Sequence, residues 1–277
     1  MARRATTARV DAAPEPPGYA EQSRRPLQIL LFLAPLIVAY ELALAFVLGG
    51  DGRGTVTVAA HRAILRMLVE MGFPPTAVLQ LGGVLLVLLL LTWHVLRRDP
   101  WRVDGTVAVG MTAESILLAL PLLALALLLA DADLMLARAA EAVPPAGAMP
   151  PAETHPASLG LVEALAISIG AGLYEELFFR WMLIAVLHTL LVDVARLGDR
   201  TGTAIAVVAS AAAFTLYHEL GLPGGGIDGA RAAFLALAGL WFGVVYAVRG
   251  FGIVVGVHAA YDVTVVLKVG PGAVGVG

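Results

Sequence analysis

The chain has 277 residues, of which 59% are hydrophobic and only 14% charged, and its mean hydropathy is +0.86. Soluble domains carry about 25% charged residues, so this composition is that of an integral membrane protein, and a net charge of −3 gives no footing for a nucleic-acid partner. The absence of cysteine excludes disulfides, thiolate nucleophiles and cysteine-ligated zinc.

Residues 1–25 are polar, rich in Ala and Pro, with five arginines, and read as a disordered tail. The apolar run that follows is too long for a signal-peptide core and lacks a small-residue cleavage site, so it is expected to be retained as a membrane span. A span needs about 20 mostly apolar residues to cross roughly 30 Å of hydrocarbon. Segments 27–48, 76–96, 109–130, 157–191, 203–219, 229–248 and 251–268 meet that requirement. Residues 55–71 pattern as an amphipathic helix lying in the interface. The 157–191 segment is too long for one straight crossing at about 1.5 Å per residue. It is expected to tilt, to project into the cytoplasm, or to break near Gly170 and Gly172.

Loops are marked by Asp51-Gly-Arg-Gly, Arg97-Arg98-Asp99-Pro100, the Pro-rich 143–156 stretch and Gly221-Leu-Pro-Gly-Gly-Gly. The expected architecture is all-α and integral to the membrane, a polytopic bundle of seven or eight transmembrane helices with an intramembrane active site. It divides into the tail 1–25, N-terminal membrane helices plus the interfacial helix over 26–156, and a catalytic membrane core over 157–277. No internal repeat is visible, which disfavours inverted-repeat transporters. Arg3, Arg4, Arg9, Arg24, Arg25, Arg97, Arg98, Arg102, Arg196 and Arg200 fall on one side if the fourth segment crosses once. The positive-inside rule makes that side, and the N-terminus, cytoplasmic.

Three groups carry chemistry. Glu175-Glu176-Leu-Phe-Phe-Arg180 lies in the middle of the fourth span, where each ionised group costs roughly 2.5–3.5 kcal/mol on insertion scales. Glu176 and Arg180, four residues apart, share a helix face in the favourable order. Glu175 points about 100° away and is left to face another helix or a wet cavity, where a carboxylate can serve as a general base. The bland alternative is an intramembrane salt bridge with Glu175 as a helix-facing polar contact. Phe214-Thr-Leu-Tyr-His218 closes the fifth span, and His218-Glu219 begins like a zincin motif, but position 222 is leucine, so H-E-x-x-H fails. His258-Ala-Ala-Tyr-Asp262 puts an imidazole and a carboxylate on one face of the last span; on its own the pair could be a satisfied helix–helix contact. Three apolar helices that each carry ionisable groups have one bundle interior in which to hide them. Glu175, His218, His258 and Asp262 can converge there on water activation and oxyanion stabilisation.

The order and spacing of Glu175-Glu176-x-x-x-Arg180, Phe214-x-x-x-His218 and His258-x-x-x-Asp262 resemble the CPBP family. That family holds the CAAX prenyl-protease 2 (Rce1-type) and bacteriocin-processing enzymes and is also called the ABI family. The resemblance covers about 157–268, including Gly239-Leu-Trp-Phe-Gly243. It implies an intramembrane glutamate-type endopeptidase that needs no cofactor and acts on a membrane-associated protein near a membrane-proximal or C-terminal signal. Glu175, aided by His218, would activate water. His258 and Asp262 would stabilise the oxyanion, with Glu176, Arg180 and Phe214 in support. Asp262 stands where prenyl-protease members have asparagine; aspartate donates only when protonated, so orienting His258 is its expected part. The older metalloprotease reading would make the same groups zinc ligands. From another class, a transporter or immunity protein could use the buried Glu and His groups as a proton relay or ligand site. Composition points to a GC-rich bacterium, hence its cytoplasmic membrane.

The remaining ionisable groups carry bland expectations. Glu41, deep in the first span, could pair with a buried polar group. His94, beside Trp93, and Glu114 and Glu163 are expected at the interface, His61 and His155 in solvated loops, and His188 outside the chemistry.

Overall fold

The computed structural model describes residues 17–48, 57–74, 81–141, 160–222 and 225–271, with the backbone alone over 130–141. Among these residues the architecture is helical throughout: α1 Tyr19–Gln22, α2 Pro26–Leu48, α3 Ala59–Glu70, α4 Leu81–Arg97, α5 Gly105–Glu141, α6 Leu161–Val194, α7 Asp199–Tyr217, α8 Gly229–Arg249 and α9 Phe251–Val269. Helices α2, α5, α6, α8 and α9 are long and apolar enough to cross a membrane, and α4 is a shorter apolar helix. Among the described residues these five, with α4 and α7 packed among them, make a polytopic bundle, against the seven or eight transmembrane helices expected; α7, assigned as a span, is not one of the five. A span is apolar on its lipid face as well as its packed one, so exposed Val38, Phe46, Leu127 and Leu216 are what a lipid-facing surface requires.

Helix α9 is the centre of the packing, lying against α6, α5 and α8. Its residues from Phe251 to Ala259 are buried without interruption. Membrane helices gain little from the hydrophobic effect, so small residues that admit close backbone approach decide the contacts. Gly172 of α6 is one: a Cβ there would lie 3.0 Å from the Ala259 Cβ and 3.0 Å from its backbone nitrogen. Gly170 serves the same purpose toward α2, where a Cβ would stand 2.3 Å from a ring carbon of Tyr40.

Of the three expectations for this segment, the break near these two glycines is therefore absent. They are contact points, and α6 runs as one helix of 34 residues, with π-helical turns over Leu177–Leu183 and Thr189–Val194. Its first turn is capped from one side only, the Gly160 backbone N–H donating to Glu163 Oε2 at 2.6 Å, which gives Glu163 a definite task.

Other expectations also change. Residues 17–25, assigned to the tail, are held in place: Tyr19 donates to Glu114 at 2.6 Å and Arg24 reaches the Val248 carbonyl. Glu114, expected at the interface, is engaged by Arg249 as well, with Nη2 at 2.8 Å. Residues 1–16, Arg53, the 143–156 segment and His155 lie outside the described residues. The amphipathic periodicity of α3 is real, with Ala60, Ile64 and Leu68 buried at intervals of four, but that face docks on α4 and α6. His61, expected in a solvated loop, is thus fully buried. His94 is buried too, edge-on to Trp101 at 4.4 Å, because the chain after α4 folds back over it. His188 pairs with Asp199 at 3.0 Å at the α6–α7 connection.

Candidate active site

Helix α6 reaches the site where its α-helical stretch passes into the first π-helical turn. Glu175 and Glu176 are the last residues before that turn and Arg180 lies within it. π-turns recur at functional sites because they re-aim side chains. Glu176 and Arg180 are completely buried, with Arg180 Nε 3.3 Å from Glu176 Oε2. Arg180 Nη2 donates to the Gly239 carbonyl at 3.3 Å. Its guanidinium lies 4.3 Å from the Phe214 ring centroid and 5.2 Å from that of Phe242. The cation is enclosed by a carboxylate, a carbonyl and aromatic faces, which balance its charge, while Nε and Nη1 make no hydrogen bond among the described residues.

His218 follows the last helical residue of α7, and its backbone turns to φ −86°, ψ 151°. That turn folds the imidazole back so that Nδ1 meets the Phe214 carbonyl at 2.8 Å, one of the carbonyls that every helix C-terminus leaves free. A carbonyl only accepts, so Nδ1 carries a proton, and Nε2 faces Glu175 Oε2 at 3.8 Å. Among the described residues, Oε2 of Glu175 has no hydrogen-bond partner.

His258, on α9, is clasped from both sides. Its Nδ1 is 2.7 Å from Glu176 Oε1 and its Nε2 is 3.4 Å from Asp262 Oδ2. Its ring stacks on Phe242 with centroids 4.6 Å apart and planes 18° from parallel. Glu176 is therefore shared between Arg180 and His258. Glu175 and His258 are each 5% exposed, whereas the His218 and Asp262 side chains are 20% and 19% exposed, so the cluster opens on the side of those two residues.

The structure thus brings together all seven residues singled out from the sequence: Glu175, Glu176, Arg180, Phe214, His218, His258 and Asp262. Two links escape sequence reasoning. Glu176 and His258 are 82 residues apart in the chain, and no spacing rule connects them. Phe242 stands inside the glycine-rich Gly239–Gly243 stretch, but nothing local marks it as the floor beneath an imidazole. Among the described residues no three His, Asp or Glu side chains are grouped so that they could hold a metal ion.

Comparison of the chain with curated proteins and with solved structures gave no match. A family model does match, over residues 157–264: type II CAAX prenyl endopeptidase, Rce1-like. The match takes in all three motifs and the helices that carry them, and stops short of α1 to α5. Residues 157–264 of this integral membrane protein are thus similar to the Rce1-like type II CAAX prenyl endopeptidases.

Proposed function

We propose that this protein is a metal-independent, glutamate-type intramembrane endopeptidase. The observation that carries the reading is Glu175 Oε2 and His218 Nε2 facing one another across 3.8 Å, and the reading takes both atoms as acceptors. Two acceptors at that separation need a donor between them, and a water molecule offering one proton to each fills the role. Glu175 takes a proton as the water oxygen bonds to the scissile carbonyl carbon, and His218 holds the second hydrogen and fixes the direction of attack. The carbonyl oxygen becomes an oxyanion. With Nδ1–H directed at Glu176, His258 has a proton at Nε2 for that oxyanion only as imidazolium, and the Glu176 and Asp262 carboxylates at its two nitrogens supply the balancing charge. Glu175 then passes its proton to the leaving amide nitrogen as the C–N bond breaks, and the products are a carboxylate and an amine.

Asp262 orients His258, while Glu176, Arg180 and Phe214 hold the framework. The substrate is a membrane-associated protein cut near a membrane-proximal or C-terminal signal, reached from the side of the site where His218 and Asp262 are exposed. The arginine distribution supports a cytoplasmic N-terminus, and the composition supports a bacterial cytoplasmic membrane.

The test is Glu175→Gln in cells that co-express candidate substrates, scored by terminal proteomics. The variant is expected to fold and to lose processing, while Glu176→Gln chiefly lowers folded yield. Unimpaired processing by Glu175→Gln overturns the mechanism, and stoichiometric metal in the purified parent that is lost in His258→Ala overturns its metal-free form.

A further inference from the structure

The matched family segment begins at residue 157, yet helix α3, nearly a hundred residues earlier in the chain, touches the neighbours of both facing groups. Tyr174, immediately before Glu175, stacks on His61 with ring centroids 4.2 Å apart and planes 11° from parallel. Tyr217, immediately before His218, accepts a hydrogen bond from the backbone N–H of Ala60 at 2.6 Å. Two consecutive residues of α3, Ala60 and His61, thus meet the two residues that precede the facing carboxylate and imidazole.

The contact with Tyr217 has a definite chemical reason. The first turn of any helix leaves N–H groups without intrahelical partners, and a Ser, Thr, Asp or Asn at the N-cap satisfies one of them. Helix α3 has Val58 at that position and no side-chain cap of its own. The phenol oxygen of Tyr217 supplies the missing acceptor from another helix. The cap of α3 and the placement of the α7 terminus are therefore one hydrogen bond.

The contact with Tyr174 is held just as firmly. His61 is fully buried, and its Nδ1 is 2.9 Å from the Tyr40 hydroxyl. Burial pushes the imidazole down to about 4, so the ring is neutral near pH 7 and works as a stacking plate. Gly82 of α4 leaves the room: a Cβ there would be 2.5 Å from His61 Nε2 and 2.6 Å from the Tyr174 hydroxyl.

We infer that the first turn of α3 is a brace that sets the gap between Glu175 and His218, with His61 and Tyr217 as positioning residues. This rests on the reading of Glu175 and His218 as the water-holding pair. The brace comes from the half of the chain that the family model does not match, so the spacing of the pair is fixed by parts of this chain outside that domain.

The measurement is the pH titration of the Glu175 carboxyl by infrared difference spectroscopy of the purified full-length protein in lipid, the band being identified by its loss in Glu175→Gln. Tyr217→Phe and His61→Phe keep the aromatic rings and lose the hydrogen bonds. Each is expected to displace the Glu175 midpoint by about half a pH unit or more. Arg66→Ala, on the exposed face of α3, is expected to leave the midpoint where it is. A second variant separates bracing from mere capping. Adding Val58→Ser to Tyr217→Phe restores a local cap to α3 and leaves the link to α7 broken, so the displaced midpoint is expected to persist. An unmoved titration in either single variant, or full recovery in the double variant, overturns the inference. Because the titration needs no substrate, it can fail while Glu175→Gln still abolishes processing, and the reverse can also occur.

Discussion

Adjacent residues of α6 belong to two buried polar clusters of different character. Tyr174 belongs with Tyr40, Glu41 and His61; Glu175 belongs with Glu176, Arg180, His218, His258 and Asp262. In the first cluster Glu41 Oε1 receives the Gly83 N–H at 2.8 Å and lies 3.4 Å from the Tyr174 hydroxyl, and the rings stack. In the second, Glu175 Oε2 faces His218 Nε2 across 3.8 Å without a hydrogen bond. Both clusters hold a carboxylate and an imidazole within the bundle. Burial of such groups alone does not distinguish the two; in the first the carboxylate is held by hydrogen bonds, and in the second Glu175 Oε2 makes none among the described residues.

Matched substitutions put that contrast at risk. Glu175→Gln is expected to cut processing of a co-expressed substrate by about 100-fold or more, the range in which a positioned general base contributes. Glu41→Gln retains a carbonyl oxygen for the Gly83 N–H and is expected to process within a few-fold of the parent. Equal losses in the two variants would erase the distinction. Arg180→Ala leaves the buried Glu176 without its cation, and breaking such a pair costs about 3–5 kcal/mol. Thermal unfolding in detergent should show this as the largest loss of stability, with Arg180→Lys intermediate because an ammonium keeps the charge but loses the flat contact with Phe214.

The His61 side of the comparison has its own pH signature. Its folded value of about 4 lies below the ordinary 6.5, so between those limits the unfolded chain binds the extra proton. The stability contributed by the docked α3 is then complete above about pH 6.5 and falls as the pH drops toward 4, by about 3 kcal/mol in all. Melting curves of His61→Phe should lack that decline. The smallest effect is expected from Glu41→Leu, which strands the Gly83 N–H and costs about 1–3 kcal/mol in unfolding experiments.

The same two clusters explain what could be read from the sequence. Glu176 with Arg180, and His258 with Asp262, stand four residues apart on helices, and that spacing exposed them as pairs. Run length and hydropathy exposed the apolar helices. For the 157–191 segment the sequence leaves tilt, projection and a break near Gly170 and Gly172 all open, because a glycine that admits a neighbouring helix and a glycine that ends its own helix look alike in one dimension. Tyr40, His61 and Tyr174 carried no signal, since their association depends on α2, α3 and α6 meeting in space. His61 was misplaced for a related reason. The periodicity of α3 shows that it has an apolar face, and only the fold shows that protein, not lipid headgroups, covers that face. The link from Glu176 to His258 belongs to the same class of long-range facts.

The unbroken course of α6 also fixes a vertical scale. Its 34 residues extend about 51 Å at about 1.5 Å per residue, against roughly 30 Å of hydrocarbon. Glu175 comes 14 residues after Leu161, or about 21 Å along the axis. A helix this much longer than the bilayer must tilt or extend beyond it. The depth of the Glu175 carboxylate is then set by the share of overhang at each end and by bilayer thickness, so on the proposed function the lipid itself becomes a determinant of which bond in a membrane-associated substrate comes level with the site.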